Sequence, residues 1–410
     1  MPLHLHTKAL PLAACYVQVE KPRHKLLTMQ AVRSTTYQAA QTVAPTIEAH
    51  FARLLEVEME RQTFDLTPEP LASHIEIILD TAFWASLRRE EGVSPRISLA
   101  YIAPEQVPQP MLFEKKMPLT SATLTKLGPG VERPGIHLGV WHYDDQLHIW
   151  GTTTTIPSLS MVVDVSEPGL LVIKHRRTDG YGKFINVAVL KGDEIKVIDE
   201  KAAHIPDCPS VLTSLLQFIP SYSHDRSYNI LVQLAVSMRA HERGGIVLVV
   251  PSGSDKWRAS ILEPMLYTLN PAFSVLAELA QNSENDENRD TVQEAIRREV
   301  DMIAGLTALD GATILNDKYE LLAFGAKIGR LPGHSPVNEI IMTEPIVGGK
   351  AIKVHPAVKG GTRHLAAAQF VHDQRNAIAL VASQDGVFTV FSWSTCDEVV
   401  QAHRIDSLLL

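Results

Sequence analysis

Three short runs carry the residue types from which a small-anion site is built. Leu309-Asp310-Gly311-Ala312-Thr313-Ile314-Leu315 sets a carboxylate and a glycine directly before an apolar, β-branched run. About 50 residues later, Gly360-Gly361-Thr362-Arg363-His364-Leu365-Ala366-Ala367-Ala368 offers a hydroxyl, a guanidinium and an imidazole ahead of small residues. Val381-Ala382-Ser383-Gln384-Asp385-Gly386 then adds a hydroxyl and a second carboxylate at a strand-to-strand turn. Each run alone is weak: Asp-Gly before a strand is an ordinary turn, and an exposed Arg-His pair is ordinary surface. Their order, spacing and strand context together are far more specific.

Other chemistry is sparse. There is no GxxxxGK[ST] loop, no GxGxxG between a strand and a helix, no HExxH and no GxSxG. His4 and His6, and His142 within Trp141-His142-Tyr143-Asp144-Asp145, could be drawn as metal ligands, but a chain end and a strand end explain them better. Trp141, His142, Tyr143 and Trp150 could line a pocket, although sheet packing by aromatics is the stronger reading. Cys15, Cys208 and Cys396 are too scattered for a disulfide framework or a Cys-rich zinc site.

The bulk properties set limits. The 410 residues suggest two or three domains. A net charge of −8 gives no reason to expect nucleic acid, yet a small anion needs only a local positive site. No apolar run is long enough for a membrane helix. Leu12-Ala13-Ala14-Cys15 resembles a lipoprotein box, but the apolar stretch before it is short for a signal. The expectation is a cytoplasmic protein with no membrane partner.

The positioning elements follow from hydrophobic periodicity. Residues 28–62 read as a helix that Pro45 kinks or breaks. Residues 69–91 read as a second helix, with Ile75, Ile78, Leu79, Ala82 and Phe83 on one face and Gly92 as C-cap. Residues 97–200 are strand-like: Ile97–Ile102, Ile136–Tyr143, Leu147–Thr153, Ser160–Val165, Gly169–Lys174, Phe184–Leu190 and Glu194–Val197, with Asp144-Asp145 as a hairpin turn. A helix is expected around Ser210–Phe218, and Gly180-Tyr181-Gly182-Lys183 reads as a turn. From Tyr228 a helix leads to Gly244-Gly245 and then to Ile246–Val250, an apolar run suited to burial on both faces. Further helices are expected at 259–280 and, capped by Asp290, at 291–305, with a polar loop at 282–290. The strand pairs Ala312–Leu315 with Glu320–Phe324 and Ala377–Ala382 with Val387–Ser392 complete the pattern. The expected class is α/β (α+β overall). A helical segment (1–95) and a mostly antiparallel β-rich domain (96–225) precede a mixed-sheet domain with flanking helices (226–396) and a tail (397–410).

The three runs resemble the signature of the diadenylate cyclase superfamily, in which the corresponding motifs are DGA, GTRHR and a Ser-acid-acid turn. The resemblance covers about two-fifths of the chain, from about Arg226 to Ser394. Ala323-Phe324-Gly325-Ala326-Lys327-Ile328 and Ser383-Gln384-Asp385-Gly386 are most similar to the probable sensor family DACNV. In bacterial cyclases of the superfamily two such domains face each other, each holding ATP, and make c-di-AMP. The resemblance implies that Asp310 holds a divalent metal and helps activate a hydroxyl. Gly311, Ala312, Phe324, Gly325, Gly361 and Ser383 would lie along the nucleotide. Thr362 and Arg363 would bind phosphate and His364 would orient the same group. Asp385 would be a second metal ligand, and Mg2+ or Mn2+ would be needed only for catalysis.

Two departures change the weight. Leu365 stands where the family has another basic residue, and Gln384 replaces one of two acids. Transition states depend on such charges more than ground-state binding does. The favoured reading is therefore a sensor that binds a purine nucleotide or cyclic (di)nucleotide and couples occupancy to the N-terminal half. The alternatives are an active diadenylate cyclase, and a scaffold or homo-oligomerisation module without ligand.

Overall fold

The computed structural model describes residues 35–60, 67–144, 146–176, 184–199, 202, 230–265, 267–282 and 289–410. Thr35–Leu410 forms one compact unit. The expected helix at Ser210–Phe218, the turn at 180–183, the residues before 35 and most of the loop at 282–290 lie outside the described residues.

Helix α1, Gln38–Glu60, continues through Pro45 rather than ending there. Its buried residues Ala40, Val43, Ala44, Ile47, Phe51 and Leu54 recur at steps of three and four, so one face is apolar. Asp80 of helix α2, Ala72–Ser86, accepts the Thr36 and Tyr37 backbone N–H groups at 2.8 Å, tying the start of α1 to α2. Helix α2 ends at Leu87; Gly92 is not its cap but turns the Glu90–Val93 bridge at φ 87°.

The first sheet takes the order β2-β4-β3-β1-β5-β6-β7-β8. Its strands are β1 Ile97–Tyr101, β2 Met111–Pro118, β3 His137–Tyr143, β4 Gln146–Thr153, β5 Met161–Glu167, β6 Leu170–Arg176, β7 Phe184–Lys191 and β8 Glu194–Val197. All pairings are antiparallel except β1 with β3. Strand β2 was not expected from the sequence. It is an exposed edge carrying Glu114, Lys115 and Lys116, so it lacks apolar alternation; such charges also discourage edge pairing. The short helix α3, Ser121–Leu127, was also missed; Thr120 caps it by accepting from the Thr123 N–H at 3.1 Å.

The second sheet takes the order β10-β12-β11-β9-β15-β16-β17-β13-β14. Its central strand β9, Gly245–Val250, is buried throughout, as the apolar run predicts. It runs parallel to β11, Ala312–Asn316, and antiparallel to β15, Ile378–Ala382. Val247 and Val249 face the core containing helices α4, Ile230–Ala240, and α6, Arg289–Leu306. Ile246, Leu248 and Val250 face the opposite layer, where helix α7, Pro356–Asp373, supplies Ala367, Ala368, Phe370 and Val371. Alternation along one strand thus builds two helical layers around one sheet.

The expected helix at 259–280 is instead strand β10, Tyr267–Phe273, followed by helix α5, Val275–Asn282. Pro264 and Pro271 explain the difference: proline lacks the N–H that a helix interior needs, whereas an edge strand tolerates it. Helix α6 begins at Arg289, so Asp290 lies inside its first turn rather than capping it. Helix α4 ends at Ala240; Glu242, at φ 55°, and Gly244, at φ 70°, turn the chain into β9. Strand β12, Leu321–Ala326, and β16, Phe388–Ser394, fall where expected. Residues 397–410 supply β17, Val399–Arg404, between β16 and β13, Ile340–Thr343; β14, Ile352–Val354, forms the far edge. Overall the fold is α+β with two mixed sheets. No helix among the described residues is long and apolar enough to cross a membrane.

Candidate functional site

The register of the second sheet brings the three runs to one end. Ala312 opposes Ile246, and Gly245 opposes Ala382, so the starts of β11 and β9 and the end of β15 are level. Asp310-Gly311 precedes β11, Gly244 precedes β9, and Ser383–Gly386 follows β15. Two interstrand steps separate the outer positions, about 10 Å.

The Asp310 loop is shaped by close backbone contact. Gly311 has φ 118°, and a Cβ there would lie 2.4 Å from the Gly325 carbonyl carbon. Only glycine fits both conformation and contact. Gly325, at φ 61°, lies under Tyr267: a Cβ would come within 3.0 Å of that ring. Tyr267 in turn stacks on Phe324, with centroids 5.0 Å apart and planes 5° apart. Ala312 is buried as the first residue of β11. Asp310 itself projects outward, 92% exposed, with Lys327 at 3.6 Å as a loose ion-pair partner.

Helix α7 supplies the second run through a break. Gly361 has φ 66° and ψ −162°, which ends a first turn and starts the helix afresh at Thr362. The chain turns helical again at Thr362, Arg363 and His364, and the start of a helix favours an anion through its N–H groups and dipole. Thr362 is exposed and Arg363 half-buried. The Arg363 guanidinium reaches the sheet end: its Nη1 lies 3.0 Å, and Ala382 O 3.1 Å, from where a Gly244 Cβ would sit. Gly244 therefore leaves the room this arginine occupies. No carboxylate forms an ion pair with Arg363 among the described residues.

His364 points the other way. It is 2% exposed, and its Nε2 meets Thr389 Oγ at 3.1 Å. Burial lowers its pKa against the pull of the Gly360 carbonyl and Asp385, so the ring is neutral at pH 7. A Cβ on Gly360 would sit 2.0 Å from the ring, which is why glycine precedes the break. Its place is structural: it fastens the start of the helix to β16. Leu365 packs against the apolar layer under α7.

In the third run, the Ser383 hydroxyl contacts the Asp385 carboxylate and the Val387 carbonyl. That hydroxyl, more than His364 or Arg404, holds the Asp385 carboxyl below the usual carboxylate range. Gln384 is exposed, and its amide reaches the Arg243 carbonyl at 3.5 Å. Among the described residues, Asp310 and Asp385 belong to no converging group of three metal-ligating side chains.

The same turn borders an open cleft of about 1090 Å³ between the two sheets. On the first sheet, Ser98 Oγ lies 2.6 Å from His137 Nδ1 and 2.5 Å from Asp164 Oδ1, and Lys174 is paired with Asp164. Burial lowers the His137 pKa to about 4. On the other wall stand Arg239 and Arg404, the latter fastened to Asp406 at 2.8 Å. The sequence did not single out this cluster, because its members come from separate strands and share no spacing. Tyr267 escaped notice because β10 reads as helix; the two prolines were the available signal. Trp150 is a core residue, 1% exposed, donating to Ile102 O at 2.8 Å, while Trp141 and Tyr143 are half-buried. Trp141 packs against the same apolar cluster as Trp150, in keeping with sheet packing.

Residues 64–154 match the family model described as probable sensor domain DACNV. The name agrees with the one the C-terminal motifs suggest, but the matched residues lie elsewhere: in α2, α3 and strands β1 to β4, not in 226–396. No curated protein matches the chain. Over part of its first half, which supplies one wall of the cleft, the chain is thus similar to a probable sensor domain.

Proposed function

We propose that this protein is a nucleotide sensor. A purine nucleotide or cyclic (di)nucleotide sits at the end of the second sheet, among Asp310, Gly311, Phe324, Gly325, Gly361, Thr362, Arg363 and Ser383. The observation that carries this reading is the break at Gly361, which opens a helix beside an Arg363 guanidinium with no carboxylate partner among the described residues. The start of a helix and a guanidinium together suit a phosphate. The exposed Tyr267 ring, stacked on Phe324 beside the Asp310 loop, offers a face for a base.

A route to the first sheet runs through the Ser383 turn. Arg239 donates to Gly386 O at 3.4 Å and to Leu409 O at 2.9 Å; Asn186 of β7 donates to Leu410 O at 3.3 Å. Occupancy that shifts the turn would therefore pull on the cleft wall. The exposed Asp310 pairs with Lys327 and belongs to no group of three metal-ligating side chains among the described residues, which argues against a cyclase metal there. Leu365 and Gln384 argue the same way.

The test is calorimetric titration of the full chain with ATP, other purine nucleotides and c-di-AMP. Binding that weakens at least tenfold in Arg363→Ala, without turnover, is expected. Incubation with ATP and Mg2+ or Mn2+ decides the alternative: c-di-AMP that disappears in Asp310→Asn would replace the sensor reading with a cyclase. Absence of any binding would leave the scaffold.

A further inference from the structure

The C-terminal end of α7 carries a second cluster, remote from the sheet end. Asp373 Oδ1 lies 2.9 Å from His372 Nδ1 and 3.1 Å from His334 Nδ1. The three ligand atoms lie within 4.8 Å of one another. The Asp373 side chain is 0% exposed, while His334 and His372 keep 43% and 27% of theirs in solvent. Ten residues of helix separate Arg363 from Asp373, about 15 Å along the axis.

We propose that His334, His372 and Asp373 bind a divalent transition metal of the zinc type, fastening the 331–337 connection to the end of α7. Three features carry this. First, the donor set is right: two imidazoles and a carboxylate suit zinc, cobalt or nickel rather than magnesium or calcium. Neighbouring ligands on a tetrahedral ion with bonds of about 2.0–2.1 Å stand about 3.3 Å apart, close to the spacings here. Second, Asp373 Oδ1 is over-subscribed as a simple acceptor. Besides the two imidazoles it faces Gln369 Nε2 at 3.0 Å, three donors for one oxygen with about two lone-pair sites. A cation relieves this, because each imidazole then turns a lone pair, not an N–H, toward the centre. Third, an outer layer already orients the carboxylate. Leu331 N–H donates to Asp373 Oδ2 at 2.9 Å, and the Gln369 amide also reaches Oδ2 at 3.0 Å. Such outer partners are typical of metal ligands. The solvent-facing histidines leave an entry path and a fourth position for water.

The ion would staple a connection whose other ties to α7 run through Asp373 and Gln369. Gln369 also accepts from the Val337 N–H at 2.8 Å and donates to Ser335 O at 3.2 Å, so one helical turn gathers both ends of the segment.

The experiment uses the full chain, stripped with EDTA and titrated with ZnCl2 by calorimetry, then with CoCl2 by absorption spectroscopy. One ion per chain, and a cobalt spectrum of four-coordinate type, are expected. His334→Ala and His372→Ala, both at partly exposed positions, should fold normally and weaken binding at least tenfold each. The double variant His4→Ala/His6→Ala should bind as the parent does. Hydrogen exchange of 331–337 should slow on adding zinc, and not in His334→Ala. Failure to bind one ion, or parental affinity in both His334→Ala and His372→Ala, overturns the proposal. Neither result depends on nucleotide binding.

Discussion

At the scale of single residues, the candidate site is defined as much by what is missing from side chains as by what is present. Gly311, Gly244 and Gly360 each leave space that a neighbour fills: the Gly325 backbone, the Arg363 guanidinium and the His364 ring. Gly311→Ala is expected to cost about 1–3 kcal/mol, because both the φ of 118° and a 2.4 Å contact with backbone oppose a methyl group. Urea unfolding of the variant checks this; an unchanged midpoint would show that the loop opens freely. The sequence singles out Arg363 and Asp310 by their types and order, and the sheet register brings their runs to one end. The inward turn of His364 was not, since an Arg-His pair at the opening of a helix does not reveal which member faces solvent.

At the scale of elements, β17 holds a titratable group within the sheet. His403 is 1% exposed, and its Nδ1 meets Thr343 Oγ of β13 at 2.8 Å. Burial lowers its pKa to about 4. The unfolded chain therefore binds a proton near pH 6.5 that the folded chain refuses until about pH 4. Stability should fall as pH drops through that window, by up to about 3 kcal/mol from this group, and should be flat above it. Denaturant unfolding at pH 7 and pH 5 measures the difference, which should shrink in His403→Gln. An equal slope in the variant would assign the effect elsewhere.

Most strands were legible because alternation or a continuous apolar run marks them, as in β9 and in β3 to β8. Strands β13 and β17 were missed because their short apolar runs lie in stretches read as a connection (329–359) and a tail (397–410); the other three missed strands had no such mark. Strand β2 is charged on an exposed edge, β14 spans only Ile352–Val354, and β10 carries a proline among residues of helical aspect. Helix α7 was hidden by Gly360-Gly361, which reads as loop yet marks the break that starts the helix again.

At the scale of the whole molecule, the two sheets are joined by polar as well as apolar contacts. Lys196 of β8 pairs with Glu344 at 2.6 Å, Val347 N–H reaches Val197 O at 2.8 Å, and Asp199 N–H reaches Pro345 O at 3.0 Å. Arg239 adds the bridge from the Ser383 turn to the chain end. Arg239→Ala should lower stability by about 1–3 kcal/mol by leaving two carbonyls unpaired. It should also abolish ligand-induced changes in hydrogen exchange of β6 and β7 while nucleotide affinity stays within about twofold. Persistence of those changes would mean that coupling takes another path. This architecture was only partly readable in advance. Periodicity identifies elements, but contacts between separate sheets leave no local pattern in the chain.

The placement of β9 also shapes how the polypeptide reaches its native state. In the first sheet, most neighbours are hairpin partners adjacent along the chain, from β5 through β8. Strand β9 instead waits for Ala312 opposite Ile246 and for Ala382 opposite Gly245. Long loops must close before those pairings repay their entropy, so high contact order slows this half. During synthesis the first sheet can assemble while the most apolar strand of the second is still without both neighbours. Until Ala382 emerges from the ribosome, Gly245–Val250 lacks its β15 neighbour, and an unpaired apolar strand of this kind is prone to aggregate.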